Sequence, residues 1–270
     1  DDVPLAFLDV ETTGLHPGLG DRVCEIAILR CQCDEPVDAI EQLINPQRRI
    51  GAGAAAVNGL SDEELVDAPL FAQVAGRVLS ILEGAVLVGH NTPFDLGFLA
   101  TELGRMGIRQ PEPVALDTLR LAKYSYRLPS YALHRVAAAL SVDIAGQAHR
   151  AMHDVLLTRA VFARLQDYLY AQGVRTLGDF VRAQGGHITA PLAPVYDLPP
   201  LIQQALQENL PLRLRYLSEQ GVETVRLVRP LAISLRGGHV SLVAHCYLRD
   251  AHRSFRLDRV VEMELVREFD

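Results

Sequence analysis

An apolar run, Leu5-Ala6-Phe7-Leu8, passes without a break into Asp9-Val10-Glu11-Thr12-Thr13-Gly14-Leu15. A short continuous apolar run closed by a Gly turn reads as a buried strand, and two carboxylates spaced two apart at its end share one face. The chain must cover both sides of that strand and neutralise the acids projecting from its end. Two later segments raise the same demand. Ala85-Val86-Leu87-Val88 runs into Gly89-His90-Asn91-Thr92-Pro93-Phe94-Asp95, and His149-Arg150-Ala151-Met152-His153-Asp154 opens a long stretch with an apolar face. If these three segments meet, four carboxylates and a histidine share one pocket.

The surrounding pattern allows them to meet. Strands are expected over 4–9, 22–33, 36–44, 85–88 and 114–116, the first three as a meander with turns at Gly18-Leu19-Gly20-Asp21 and Asp34-Glu35-Pro36. Helices are expected over 69–82, from Pro93, over 117–123, 131–140 and 150–170. Strands first and helices between later strands indicate an α/β fold, a mixed sheet with helices on its faces. Ligands in such sheets collect beyond strand ends. Residues 171–196, with Gly173, Gly178, Gly185-Gly186, Pro191 and Pro194, read as a linker with one short helix near 176–183. From Asp197 a helix over 199–207 and alternating strands over 212–217, 224–228 and 240–247 indicate a small antiparallel-sheet domain. Gly221 and Gly237-Gly238 are its expected hairpin turns. The expected domains are therefore 1–170 and 197–270.

Composition narrows the classes. A hydrophobic fraction of 49% supports sizeable cores. No apolar run is long enough to cross a bilayer, and no secretory leader is expected ahead of Phe7. The four cysteines fit no zinc spacing or disulfide framework, so a reducing, cytoplasmic compartment is expected. Cys31 and Cys33 are expected as buried thiols on one strand face. The formal net charge of −7 is carried by the first 170 residues, while residues 197–270 balance. An acidic domain can still bind phosphate when divalent cations reverse the local field.

The residue types suit that chemistry. Asp9 and Glu11 repel unless a cation lies between them. Asp95 falls in the first turn of a helix, where a carboxylate is favoured. Asp154 inside a helix facing a sheet end needs a partner or a metal. His149, on the loop before it, can accept a proton from water near neutral pH. His90 reads as a turn histidine and His153 as pointing elsewhere on its helix.

The pattern Asp9-x-Glu11, Asp95, His149-x4-Asp154 resembles the DEDDh class of 3′–5′ exonucleases, the DnaQ-like family, over about residues 4–170. Val57-Asn58-Gly59-Leu60 and Ala115-Leu116-Asp117-Thr118 support the likeness. The resemblance implies a ribonuclease-H-like sheet and two divalent cations, Mg²⁺ or Mn²⁺, held by Asp9, Glu11, Asp95 and Asp154, with His149 as the base. It further implies that Leu15 and Val57 wedge against terminal bases, that backbone near Thr12 and Thr13 receives the 3′ hydroxyl, and that Asn91 and Phe94 shape the pocket. The substrate expected is DNA with an unpaired 3′ end, the service DNA repair, and the partners repair or replication proteins. Two other readings stay open: an exoribonuclease with the same catalytic residues, and a regulatory nucleic-acid-binding protein whose nuclease part is inert.

Residues 197–270 resemble the WYL domain through Arg229-Pro230-Leu231, Leu242-Val243-Ala244-His245-Cys246 and Phe255-Arg256-Leu257-Asp258-Arg259, with Val240 and Ser241 standing where that domain has its Trp and Tyr. Arg213, Arg215, Arg249, Arg253, Arg256 and Arg259, with Tyr216 and Phe255, suit a platform for single-stranded nucleic acid.

Overall fold

The computed structural model describes residues 3–109, 113–144, 146, 149–190 and 198–267. The first apolar run forms β1 (Leu5–Thr12), hydrogen-bonded on one side to β2 (Val23–Gln32), which pairs in turn with β3 (Glu35–Leu43). Both pairings are antiparallel, as short turns allow. After α1 (Ala52–Asn58), α2 (Asp62–Leu65) and α3 (Phe71–Leu82), the chain returns as β4 (Val86–Gly89), parallel to β1 on its other side. Then α4 (Thr92–Arg105) crosses over to β5 (Ala115–Asp117), again parallel. The sheet order is β3-β2-β1-β4-β5. Next come α5 (Thr118–Ser125), α6 (Leu133–Ala139), α7 (Ala151–Ala171) and α8 (Leu177–Ala183).

Side-chain alternation along β1 sorts two cores. Ala6 and Leu8 pack with Phe71 of α3 and Phe98 of α4 on one face. Phe7 meets Phe162 of α7 edge-on on the other, with ring centroids 6.0 Å apart. Asp9 and Glu11 continue the Phe7 parity, so they emerge on the face that α7 covers.

The stretch expected as a linker contains its short helix, but that helix is part of the first core. Phe180 and Val181 of α8 pack with Phe162, and Ile188 joins the opposite face. Gln184 explains why. Its side-chain oxygen accepts from the Asp117 amide at 2.9 Å and its nitrogen donates to the Ala115 carbonyl at 2.9 Å. One amide side chain thus supplies the ladder bonds that the open edge of β5 lacks. Residues 191–197, the rest of the expected linker and the first residue of the second domain, lie outside the described residues.

In the second domain α9 (Pro200–Glu208) covers a sheet of β6 (Leu212–Leu217), β7 (Glu223–Arg236), β8 (His239–Cys246), β9 (Ala251–Arg256) and β10 (Val260–Leu265), in the order β10-β6-β7-β8-β9. Leu212, Leu214, Val228, Leu242 and Phe255 form its core with Ile202 of α9. β7 runs well past the expected Val228, because a bulge between Pro230 and Ala232 absorbs the missing proline N–H. Gly237 and Gly238, both at positive φ (56° and 78°), make the two-residue turn.

One thiol departs from expectation. Cys31 is buried, but β2 ends at Gln32 and Cys33 turns out into solvent at φ 51°. Among the described residues no helix is long and apolar enough to cross a membrane.

Candidate active site

The pocket begins where β1 ends. A register shift after Glu11 breaks the ladder, and Thr12-Thr13-Gly14 turns away under several restraints. The Thr12 hydroxyl donates to the Gly14 carbonyl at 2.6 Å, and the Thr13 amide to the Arg22 carbonyl at 2.9 Å. The Gly51 amide bonds the Thr13 carbonyl at 3.0 Å, and the buried Asn58 side chain reaches the Thr12 carbonyl at 3.4 Å. The last two contacts tie α1 to the turn. Leu15 (71% exposed) and Val57 (56% exposed), two apolar side chains in water, therefore sit on segments bonded to one rigid turn. At position 14 a Cβ would stand 2.3 Å from an Asp21 carboxylate oxygen, so any larger residue has to displace a side chain that the His16 amide holds at 3.0 Å.

Asp95 arrives from the other core. Asn91, in the left-handed region at φ 67°, caps α4, and its amide is held by Asp117 at 2.8 Å. This entry points Asp95, 3% exposed, back at β1, where it accepts from the Val10 amide at 3.1 Å. Phe94 stays partly buried against Phe98, while Asn91 is exposed. His90 is a turn histidine bonded to Thr118 at 2.9 Å and the Tyr131 carbonyl at 2.8 Å; burial holds its pKa down.

From α7, Asp154 closes the pocket. One oxygen lies 3.9 Å from His149 Nδ1, and ligand atoms of Glu11, His149 and Asp154 all fall within 4.8 Å of one another. His153 does not point elsewhere: its Nδ1 is 3.1 Å from the other Asp154 oxygen and its Nε2 is 3.2 Å from the Ile144 carbonyl. At a helix start the side chain is free to fold back along the incoming segment, which helix periodicity does not reveal.

The electrostatics join these groups. Burial, then the charges of Asp154 and Glu25, push Asp9 well above the carboxylate range. Burial and then Asp9 do the same to Asp95. Glu11 is pushed up to about 9 by burial and then by Asp9, Asp154 and Glu25. Sequence reasoning passed over Glu25, the charged residue of an otherwise apolar strand, and Arg150, to which it is bonded. An acid inside Val23-Cys24-Glu25-Ile26-Ala27 was the available signal.

The six second-domain arginines named for a nucleic-acid platform do not form one free surface. Arg213 pairs with Glu264, Arg215 with Glu223 and Glu262, Arg256 with Asp258, and Arg259 with Glu219. Among the described residues Arg249 and Arg253 have no acidic partner.

A mixed sheet of this order, with carboxylates gathered at the end of β1, just beyond β4 and at the start of α7, defines a ribonuclease-H-like nuclease domain. Residues 6–162 match the RNase_T exonuclease family, and the chain belongs to it; residues 198–265 match the WYL domain. The DNA polymerase III subunit epsilon-like protein of Rhodobacter capsulatus is 36% identical over 182 residues, covering 66% of this chain and 26% of that relative. The 3′–5′ exonuclease DinG of Bacillus subtilis is 30% identical over 203 residues, covering 75% and 21%. A PolC-type DNA polymerase III of Caldanaerobacter subterraneus is 28% identical over 236 residues, covering 85% and 16%. The chain thus spans about a quarter or less of the length of these relatives. In fold it resembles exonuclease X, solved in complex with 5′-overhanging duplex DNA (TM-score 0.53, 21% identity, 67% of this chain and 99% of that one). It also resembles the nuclease domain of 3′hExo, a DEDDh family member, solved with rAMP bound (TM-score 0.54, 16% identity, 64% and 94%).

Proposed function

We propose that this chain is a divalent-metal-dependent 3′–5′ exonuclease that releases nucleotides from unpaired 3′ ends of DNA. The observation that carries the reading is the convergence, from β1, α4 and α7, of carboxylates beside His149, with Asp9, Glu11 and Asp95 raised by burial and by neighbouring acid charge. An all-oxygen donor set of mutually repelling acids fits hard divalent cations such as Mg²⁺ or Mn²⁺. Asp9, Glu11, Asp95 and Asp154 would hold them, and the ions would supply charge stabilisation at the phosphate and a more acidic water.

The remaining work falls to the chain's own groups. His149, half-exposed and within reach of Asp154, takes the proton from the attacking water. The braced backbone of Thr12 and Thr13 receives the 3′-terminal hydroxyl. Leu15 and Val57 press on the terminal bases, and Asn91 with Phe94 shapes the wall that α4 provides. Of the six arginines named for the second domain's platform, Arg249 and Arg253 are the ones left for phosphate. The buried free thiols Cys24, Cys31 and Cys246 support a reducing, cytoplasmic setting, and we assign the activity to DNA repair alongside repair or replication proteins.

The test uses 5′-labelled single-stranded DNA and RNA oligomers of one sequence, with Mg²⁺ or Mn²⁺ titrated from zero. A ladder shortening from the 3′ end, faster on DNA and absent in Asp9→Ala, is expected. Equal cleavage by Asp9→Ala removes the assignment, and faster loss of RNA moves it to an exoribonuclease. Binding without cleavage under every metal condition makes the chain a nucleic-acid-binding protein with an inert nuclease part.

A further inference from the structure

Glu25 has an unusual position for an acid. It lies near the start of β2, opposite Glu11 in the ladder and on the same face, and it is fully buried. A buried carboxylate is tolerated only when paired and hydrogen-bonded. Glu25 satisfies that condition through the start of α7, although it lies beside the acid cluster. The Arg150 guanidinium contacts both of its oxygens at 2.8–3.2 Å, and the Ala151 amide donates to it at 3.2 Å.

That last bond is a helix cap supplied from another element. Arg150 is the N-cap residue of α7, yet its own side chain makes no capping bond. The orphan amide of Ala151 is instead satisfied by an anion on the neighbouring strand, where the helix dipole favours one. The residue just before, His149, sits at φ 61°, a conformation that a non-glycine residue keeps only when its surroundings over-determine it. Asp154, in the first turn of the same helix, shares the anchor.

We propose that Glu25 and Arg150 are positioning residues for the exonuclease reaction: their ion pair clamps the start of α7 to β2 and so sets His149 and Asp154 against Glu11. The inference rests on the exonuclease reading. It also explains why the acid nearest Glu11 along the sheet stands outside the expected metal set: its oxygens are occupied by the clamp.

Two variants test it, Glu25→Gln and Arg150→Lys. The first keeps size but weakens the fork; the second keeps charge but cannot span both carboxylate oxygens. Each is expected to lower kcat on a single-stranded DNA oligomer by about 10²-fold, the scale of a misplaced catalytic group, with KM unchanged. In a His149→Ala background either change is expected to cost several-fold less than in the wild type, because one of the two groups being positioned is gone while Asp154 remains. In metal-free protein, amide exchange at Ala151 and Asp154 is expected to quicken in both variants while exchange in β4 stays slow. If one variant does not fold, the other decides. Unchanged exchange at Ala151, wild-type kcat, or losses that multiply with His149→Ala each overturn the proposal. A wild-type protein that cleaves nothing removes the exonuclease reading instead, and the exchange measurement still decides whether the clamp exists.

Discussion

Glu11 shows most plainly what the pocket demands of its residues. Its carboxyl is held at about 9, and Asp9 and Asp95 are also raised, whereas in the unfolded chain all three ionise near the usual carboxylate values of about 4. The metal-free fold therefore binds more protons than the unfolded chain throughout that interval. Stability present below the carboxylate range is lost as pH rises, for Glu11 up to about 9. Divalent cations held by these residues would take the place of those protons. Melting of the protein in EDTA is thus expected to move to lower temperature between about pH 6 and about pH 8.5, and the rise on adding Mg²⁺ or Mn²⁺ to grow over the same window. A metal-induced shift of the same size at both pH values would contradict this account. His149, which we propose as the proton acceptor, makes a separate demand: its side chain lies 3.9 Å from Asp154. His149→Ala is expected to lower kcat by about 10²–10⁴-fold, the usual contribution of a general base, without changing oligonucleotide affinity in a fluorescence-anisotropy titration.

At the scale of elements, each acid is placed by the end of something: Asp9 and Glu11 by the last residues of β1, Asp95 and Asp154 by first helical turns. The edge strand β5 needs a different device, since it is three residues long and has no strand beyond it. Gln184→Ala would leave the buried Asp117 amide and Ala115 carbonyl without partners, at about 1–3 kcal/mol per unsatisfied group. Urea denaturation is expected to show a loss of that size. A midpoint equal to wild type would mean that α8 is not part of the first domain's cooperative unit. These elements also show where sequence reading reaches its limit. The runs Leu5-Ala6-Phe7-Leu8 and Ala85-Val86-Leu87-Val88 are legible because a buried strand needs no distant information to be apolar, and the acids after them are legible because they break the runs. The Glu25–Arg150 clamp, the Gln184 bonds and the return of Asp95 to Val10 join residues from 67 to 126 positions apart, and nothing local marks either partner of such a pair. β9, Ala251–Arg256, has Phe255 as its one large apolar residue, as an edge strand can, so no alternation announces it.

Across the whole molecule, charge separates the two domains' roles. The acidic excess lies in the first 170 residues, where divalent cations would have to draw in a polyanion. The second domain is neutral, and four of its arginines are matched on its own surface: Arg213, Arg215, Arg256 and Arg259 each meet an acid of the same domain. An arginine already paired releases few counterions when phosphate approaches, so it adds little to affinity or to salt dependence. Arg249, in the turn between β8 and β9, and Arg253 on β9 carry no such pair. Each phosphate contact on a single strand contributes about 0.7 to the slope of log affinity against log salt. Replacing both Arg249 and Arg253 by Ala is therefore expected to flatten that slope by about 1.4 for a single-stranded DNA oligomer in EDTA. Replacing both Arg213 and Arg215 by Ala is expected to leave the slope where it was. Equal effects from the two double variants, read by anisotropy across a salt series, would mean that the surface ion pairs open on binding and that the whole face serves the nucleic acid. No effect from either would release the second domain from any part in holding the substrate.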